Sequence, residues 1–240
     1  MGPVSSAPDG PRRGRPRPWD TDWLILRGLR DEIARLVGHV ARPGLVALDF
    51  GCGDRPYESV FETHGVEYVG ADFGGNPDIA IAPDGTLAAP DAEYDLLLSF
   101  QVLEHVRDLD TYFAEARRVL RPDGQMLLST HGTWLYHPHP EDHRRWTREG
   151  LLAEIAAHGF KVIECRPVVG PMAWTTIIRN TGIAQFLRVV PGIGRGVAAV
   201  ATLIANARAR LEDAITPAGI TADNACVYVT LSRLLPADGR

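Results

Sequence analysis

Four residues of the 240-residue chain have types and spacing that suit a single ligand: Asp49, Gly51, Gly53 and Asp72. A short apolar run, Val46-Ala47-Leu48, ends in Asp49, and after Phe50 comes the turn Gly51-Cys52-Gly53. Glycines at 51 and 53 let the backbone turn sharply and let a ligand approach where a Cβ would clash. Asp72 closes a second extended segment about 20 residues on, the separation at which an acid on the next strand reaches a nucleoside ribose. A second group of residues has proton chemistry. Five of the eight histidines, His105, His131, His137, His139 and His143, fall after the fourth and fifth expected strands. A neutral imidazole there can take a proton from an oxygen or nitrogen acceptor near neutral pH.

The elements that must hold these residues read as alternating strands and helices, hence a doubly wound α/β sheet. A helix is expected over Asp20–Val40, with Leu26, Leu29, Ile33, Leu36, Val37 and Val40 at helical spacing and Pro43-Gly44 beyond its end. Strand one is Val46–Phe50. A short helix, Glu58–His64, follows, with Pro56 just ahead of it and Gly65 after it. Strand two is Tyr68–Asp72, strand three Pro77–Ala82, strand four Leu96–Phe100 and strand five Gln125–Thr130. Between the last two, a helix capped by Asp110 runs to Leu120. Thr147 caps a helix to His158, and Phe160–Arg166 is strand six. The last strand is Ala225–Arg233. Pro171–Asp223 is too long for an ordinary sheet connection and is expected to hold helices near Thr181–Val189 and Val197–Leu211.

Composition bounds the class. A net charge of −5 speaks against a general nucleic-acid surface. Of 25 basic residues only Lys161 is lysine. Cys52, Cys165 and Cys226 are far apart and form no CxxC, so neither a zinc site nor a disulfide framework is expected, and a reducing cytoplasmic compartment is. No apolar stretch follows the first basic residues, as a signal peptide would require, and no run is long enough to cross a bilayer. Residues 1–18, rich in Pro, Gly, Ser and Arg, are expected to be disordered. Residues 19–240 are then one domain with a helical insertion at 171–223.

Two cofactor classes fit a glycine turn flanked by acids. A dinucleotide fingerprint would be G-x-G-x-x-G, but its third glycine position is Pro56, and no Tyr-x-x-x-Lys is present. Asp49 ahead of the first glycine suits a cation better than a pyrophosphate. With Asp49-x-Gly51-x-Gly53, Asp72, the segment Gln101-Val-Leu-Glu-His-Val106 and the junction RRVLRPDGQMLLST, the chain resembles the class I S-adenosylmethionine-dependent methyltransferases of small molecules.

That resemblance implies a Rossmann-like, seven-stranded, mostly parallel sheet with an antiparallel last strand and helices on both faces. It implies S-adenosylmethionine as cofactor, met by Asp49, Gly51, Cys52, Gly53, Asp72, Phe73, Asp84, Gly85, Phe100 and Gln101. Asp72 would take the ribose hydroxyls and Asp84 the adenine amino group, although Asp84-Gly85 also reads as a plain turn. The reaction implied is methyl transfer to an oxygen or nitrogen of a small molecule, a sugar or glycan precursor or a natural product. A nicotinamide-dependent dehydrogenase or epimerase and a non-catalytic partner subunit of the same fold stay open as alternatives.

His139, His105 and His131 are the candidate catalytic residues. Pro138 and Pro140 restrict the backbone around His139, which singles it out as the member to orient or deprotonate the acceptor. His137, His139, Asp142 and His143 have metal-ligand chemistry, but their spacing matches no standard metal signature and no metal is expected. Arg144, Arg145 and Arg148 could receive an anionic acceptor, or equally be plain surface charge. The insertion could be a lid, a homodimer surface or a membrane-surface patch, and its length and apolar content predict that it covers the acceptor site or makes a subunit interface.

Overall fold

The computed structural model describes residues 10–138 and 141–236. Its centre is a seven-stranded sheet in the order β3-β2-β1-β4-β5-β7-β6. The strands are β1 (Val46–Phe50), β2 (Glu67–Asp72), β3 (Ile79–Ala80), β4 (Tyr94–Phe100), β5 (Leu120–His131), β6 (Phe160–Val168) and β7 (Val227–Leu234). From β3 through β5 the pairing is parallel, and β7 runs antiparallel between β5 and β6. The reversal at β1, between β2 and β4, is the switch point where open α/β sheets bind ligands at the strands' carboxyl ends.

β1 and β4 are apolar and buried because both faces of the sheet are covered. One face carries α2 (Trp23–Val40), whose Leu29, Ile33, Leu36 and Val37 are buried at helical spacing against β1, β4 and β7. The other carries α4 (Leu109–Val119) and α5 (Arg148–Ala157), which bury Phe113, Ala116, Leu151 and Ile155. The short helix α3 (Glu58–Glu62) contributes Phe61 to the α2 side.

Several elements depart from the sequence expectation. Within the stretch expected to be disordered, Gly10–Gly14 form a helical turn, α1, and the Arg12 guanidinium contacts Asp22 at 2.8 Å. The pairing gives that turn an anchor that composition does not reveal. The cap of α4 is Asp108, not Asp110, since Asp108 accepts the Thr111 amide. β5 begins at Leu120, not Gln125. Residues 121–124 bulge between the pairs Tyr94↔Leu120 and Leu96↔Gln125, and the bulge is held by Arg121 donating to Asp95 at 2.7 and 2.8 Å. β3 is two residues long.

The segment after β6 holds three helices: α6 (Pro171–Arg188), α7 (Gly194–Ile215) and α8 (Ala218–Asp223). α6 starts ten residues ahead of the expected one. Pro171 stands in its first turn, where proline's missing amide costs nothing. The chain enters this segment from the carboxyl end of β6, and β7 leaves it, so the α6–α7 hairpin rises from the edge of the sheet that carries the glycine turn.

Candidate active site

The glycine turn is built by close approach. Gly51 has φ +93°, and a Cβ there would lie 2.6 Å from Val102 Cγ2, so the loop after β4 presses directly on the turn. Gly53 has φ +51° and open space where its Cβ would stand, which leaves a cradle for a ligand. The Gly51 and Cys52 amides donate to the Ala71 carbonyl at 2.9 and 3.0 Å, tying the turn to the end of β2. There Asp72 accepts the Gly53 amide at 2.8 Å on one oxygen and the Phe73 amide at 2.7 Å on the other. Each carboxylate oxygen has a second lone-pair direction left for a ligand hydroxyl.

Asp49 is the unusual group. It is 2% exposed, its Oδ2 accepts the Tyr68 hydroxyl, and its Oδ1 is buried with no partner. Burial pushes its carboxyl up to about 7. The Tyr68 hydrogen bond and Arg55 oppose that rise, and the neighbouring Asp72 charge adds to it. A buried, orphaned carboxylate oxygen is costly unless something cationic meets it.

The other expected cofactor residues fall into two groups. Cys52 and Phe100 are core side chains. Cys52 is 3% exposed with its thiol pushed up to about 12 by burial, and Phe100 packs edge-on against Tyr57 with ring centroids 5.2 Å apart. What these two offer a ligand is backbone. Phe73 is exposed just past β2. Asp84 Oδ1 accepts the Thr86 amide and hydroxyl at 3.0 and 2.7 Å, with Gly85 at φ +89°, as the turn reading has it. Gln101 closes β4 at φ +59°, an uncommon conformation for a non-glycine residue. Its amide donates to the Ser129 carbonyl at 2.9 Å, and its side chain reaches the Ser129 hydroxyl at 3.2 Å.

Beside this turn, the ends of β4 and β5 bring histidines together. The pairing Phe100↔Ser129 sets the following loops side by side. Glu104, fully buried, lies with Oε1 2.7 Å from His131 Nδ1, and its Oε2 accepts the Thr130 hydroxyl at 2.8 Å. Burial raises the Glu104 carboxyl, but the His131 charge and contact outweigh it and hold the group below the usual carboxylate range. His131 itself is 6% exposed and stacks parallel to Trp134 at 6.2 Å. The His137 ring lies 6.3 Å from that of His131 and 6.0 Å from that of His105. His105 donates from Nδ1 to the Glu141 carbonyl at 2.5 Å.

Residues 131–138 and 141–146 are pinned beside this cluster by several contacts. The Asp142 carboxylate accepts the His137 amide at 2.7 Å and pairs with Arg145 at 2.5 and 2.7 Å. The Arg145 contact holds Asp142 down at about 2, against some burial. Arg145 also donates to the Trp134 and Leu135 carbonyls. The His143 amide donates to the Glu104 carbonyl at 2.8 Å, and Arg144 donates to the Val106 and Arg107 carbonyls. Arg144, read as a possible anion receptor, thus serves carbonyls of the loop after β4, and Arg145 serves carbonyls of its own loop and Asp142. His143 turns to Glu141 at 3.0 Å. His139 lies outside the described residues, and among the described residues no three His, Cys, Asp or Glu side chains form a group suited to a metal ion. Spacing along the chain could not reveal the Glu104 contact, because only the β4–β5 pairing creates it.

Comparison with known proteins meets this geometry. A family model described as a methyltransferase domain matches residues 23–165, the span from α2 to β6 that carries both acids, the glycine turn and the histidine cluster. The chain belongs to this methyltransferase family. Among curated relatives, the ubiquinone biosynthesis O-methyltransferase of Azorhizobium caulinodans is 29% identical over 182 residues, covering 59% of this chain and 70% of that protein. Its counterpart from Mesorhizobium japonicum is 34% identical over 125 residues, 44% of this chain and 50% of that one, so the match spans half of that relative's length. The fold is shared with Burkholderia thailandensis 1,6-didemethyltoxoflavin-N1-methyltransferase, with a TM-score of 0.55, 16% identity and coverage of 98% and 94% of the two chains.

The family's cofactor is S-adenosylmethionine, and the residues present fit it. Asp49 Oδ1 is a buried, unpartnered carboxyl oxygen suited to an ammonium, Gly53 leaves the cradle, and Asp72 keeps lone-pair directions open to hydroxyls. The dehydrogenase alternative finds no support in these comparisons.

Proposed function

We propose that the chain transfers the methyl group of S-adenosylmethionine to an oxygen or nitrogen of a small-molecule acceptor. The observation that carries this reading is the buried, unpartnered Asp49 Oδ1 beside the open Gly53 cradle, one loop away from the Glu104–His131 pair. Bound cofactor supplies a methyl group already activated by its sulfonium. The protein's work is therefore to position the acceptor and exclude water. Asp49 holds the cofactor's ammonium and Asp72 its ribose hydroxyls. Glu104 Oε1 lies against the Nδ1 edge of the His131 ring, which points Nε2 to the task of accepting a proton from the acceptor as it is methylated. His105 and His137 shape the same pocket, and residues 131–138 and 141–146 border it.

A sugar or glycan precursor or a natural product is the acceptor class proposed, and a cytoplasmic location goes with it. Three free cysteines with no pairing among them support that compartment. The deciding experiment is calorimetric titration with S-adenosylmethionine and with NADH, followed by a labelled-methyl screen of acceptor fractions. Cofactor binding that Asp49→Asn and Asp72→Ala both weaken supports the reading. NADH binding in its place would overturn it.

A further inference from the structure

The outer half of the α6–α7 hairpin buries its small residues and exposes its large ones. Between the two helices lie Ala184, Gly194, Ala198 and Thr202, while Phe186, Val189, Ile193, Val197, Val200 and Ile204 face outward. Phe186 is 76% exposed, Val189 78%, Ile193 70% and Ile204 67%. A hairpin adapted to water does the reverse, placing large aliphatic side chains in the seam and polar ones outside. Small residues in the seam with large apolar ones outside is the arrangement of helix pairs whose surroundings are lipid. Yet among the described residues no helix is long and apolar enough to cross a membrane.

Charge distinguishes a lipid surface from a second protein. From Pro171 to Leu211 the chain carries five arginines, Arg179, Arg188, Arg195, Arg208 and Arg210, and no Asp or Glu, although its net charge is −5. Arg188 and Arg195 flank the apolar tip, and among the described residues neither has a carboxylate partner. The first acids, Glu212 and Asp213, sit at the base, where they fasten the hairpin by accepting the Thr176 hydroxyl and the Gly170 amide. Asn206 adds a second anchor by donating to the Pro18 and Asp20 carbonyls at 2.7 and 2.9 Å. A second copy of this chain would bring the same excess of arginine to the contact, so the tip's charge opposes self-pairing. An anionic headgroup layer over acyl chains complements both features at once.

We infer that the tip of the α6–α7 hairpin, from Ile183 to Ile204, inserts its apolar face into the interface of an anionic phospholipid membrane, with Arg188 and Arg195 at headgroup level. The hairpin rises from the sheet edge that holds the active site. Docking there turns that edge toward the lipid surface and lets the enzyme take an acceptor presented at it. The membrane contact stands on the hairpin alone and does not depend on which reaction the site performs.

Flotation of the full chain with vesicles of phosphatidylcholine, with and without one part in three of phosphatidylglycerol, tests it. Binding is expected to the anionic vesicles and to weaken as salt is raised. Arg188→Gln with Arg195→Gln should cut the partition by roughly fivefold per arginine. Phe186→Asp with Ile193→Asp should abolish it. All four side chains are exposed, so circular dichroism and cofactor affinity should stay parental in these variants. A tryptophan at Val189→Trp should shift to the blue with anionic vesicles. Failure of the parent to float with either vesicle overturns the inference. So does a parental dimer in free solution that Phe186→Asp with Ile193→Asp splits to monomers, because the tip would then be a protein interface.

Discussion

Glu104 Oε1 and His131 Nδ1 are 2.7 Å apart at the carboxyl ends of β4 and β5, with the carboxylate fully buried and the imidazole almost so. A buried carboxylate behind an imidazole fixes the ring's tautomer and stabilises the imidazolium that forms when it accepts a proton. His131→Ala should therefore lower turnover by roughly a hundredfold or more with cofactor affinity nearly parental. Added imidazole should restore part of the loss. Glu104→Gln should lower turnover without changing that affinity. Rescue of His131→Ala by imidazole is the readout that a merely structural histidine would not give. Full activity in both variants would move the proton acceptor to His105, His137 or His139.

Asp49 ties cofactor binding to stability. Its folded carboxyl is raised to about 7 by burial, so between the ordinary aspartate value and 7 the folded state holds a proton that the unfolded chain has released. Stability of the cofactor-free protein should then fall as pH rises from about 4 to 7, by at most about 4 kcal/mol, and level off above. Asp49→Asn removes that loss. The variant should melt higher than the parent at pH 8, match it more closely at pH 5, and bind S-adenosylmethionine far more weakly. Thermal melts at the two pH values check the first claim. A parental protein whose melting temperature rises between pH 5 and 8 would contradict it.

Much of this site is legible in the chain, and the part that is not has a physical reason. The apolar run ending at Asp49, the glycine turn and Asp72 lie within contiguous segments, so pattern and turn chemistry place them. The Glu104–His131 contact is made by strand pairing, which no spacing encodes. Cys52 looks like a loop residue in the sequence, yet the turn folds it into the core, and Phe100, the end of strand four, buries its ring there too. Asp110 resembles a cap as well as Asp108 does, and only the Thr111 amide decides between them. The start of α6 lies ten residues ahead of the expected helix because its inward stripe, Ala173, Thr176, Ile177, Asn180 and Ala184, mixes small and polar residues, so no continuous apolar stripe marks it.

Asp72 spends one oxygen on the Gly53 amide and the other on the Phe73 amide. It therefore shapes the cradle, and on the proposed reading it receives the ribose as well. Asp72→Ala should lose charge-assisted hydrogen bonds of about 1.5–3 kcal/mol each, with S-adenosylmethionine affinity down at least tenfold. Asp72→Asn can still accept on one oxygen and should lose less. Equal affinities for parent and Asp72→Ala by calorimetry would remove Asp72 from the site.

The Asp142–Arg145 ion pair is one main fastening of the cover over the histidines. Asp142 is held near 2 by the Arg145 guanidinium, which also gathers the Trp134 and Leu135 carbonyls, while Asp142 accepts the His137 amide. A carboxyl lowered in the folded state stabilises above its ordinary value and loses that contribution as pH falls toward 2. Asp142→Asn removes the charge and weakens the bidentate contact, and Arg145→Met removes every donor while keeping the apolar stem. Both should loosen residues 131–146 without touching Asp49 or Asp72. Cofactor affinity should stay within about twofold, since neither residue reaches the glycine turn. Turnover should fall by about tenfold to a hundredfold, with KM for the acceptor rising, because an ångström of misplacement at a reacting centre costs on that order. Protease cleavage within the cover should quicken in both variants and slow again when acceptor is added. If either variant loses cofactor affinity as steeply as Asp72→Ala does, the cover serves the cofactor and not the acceptor.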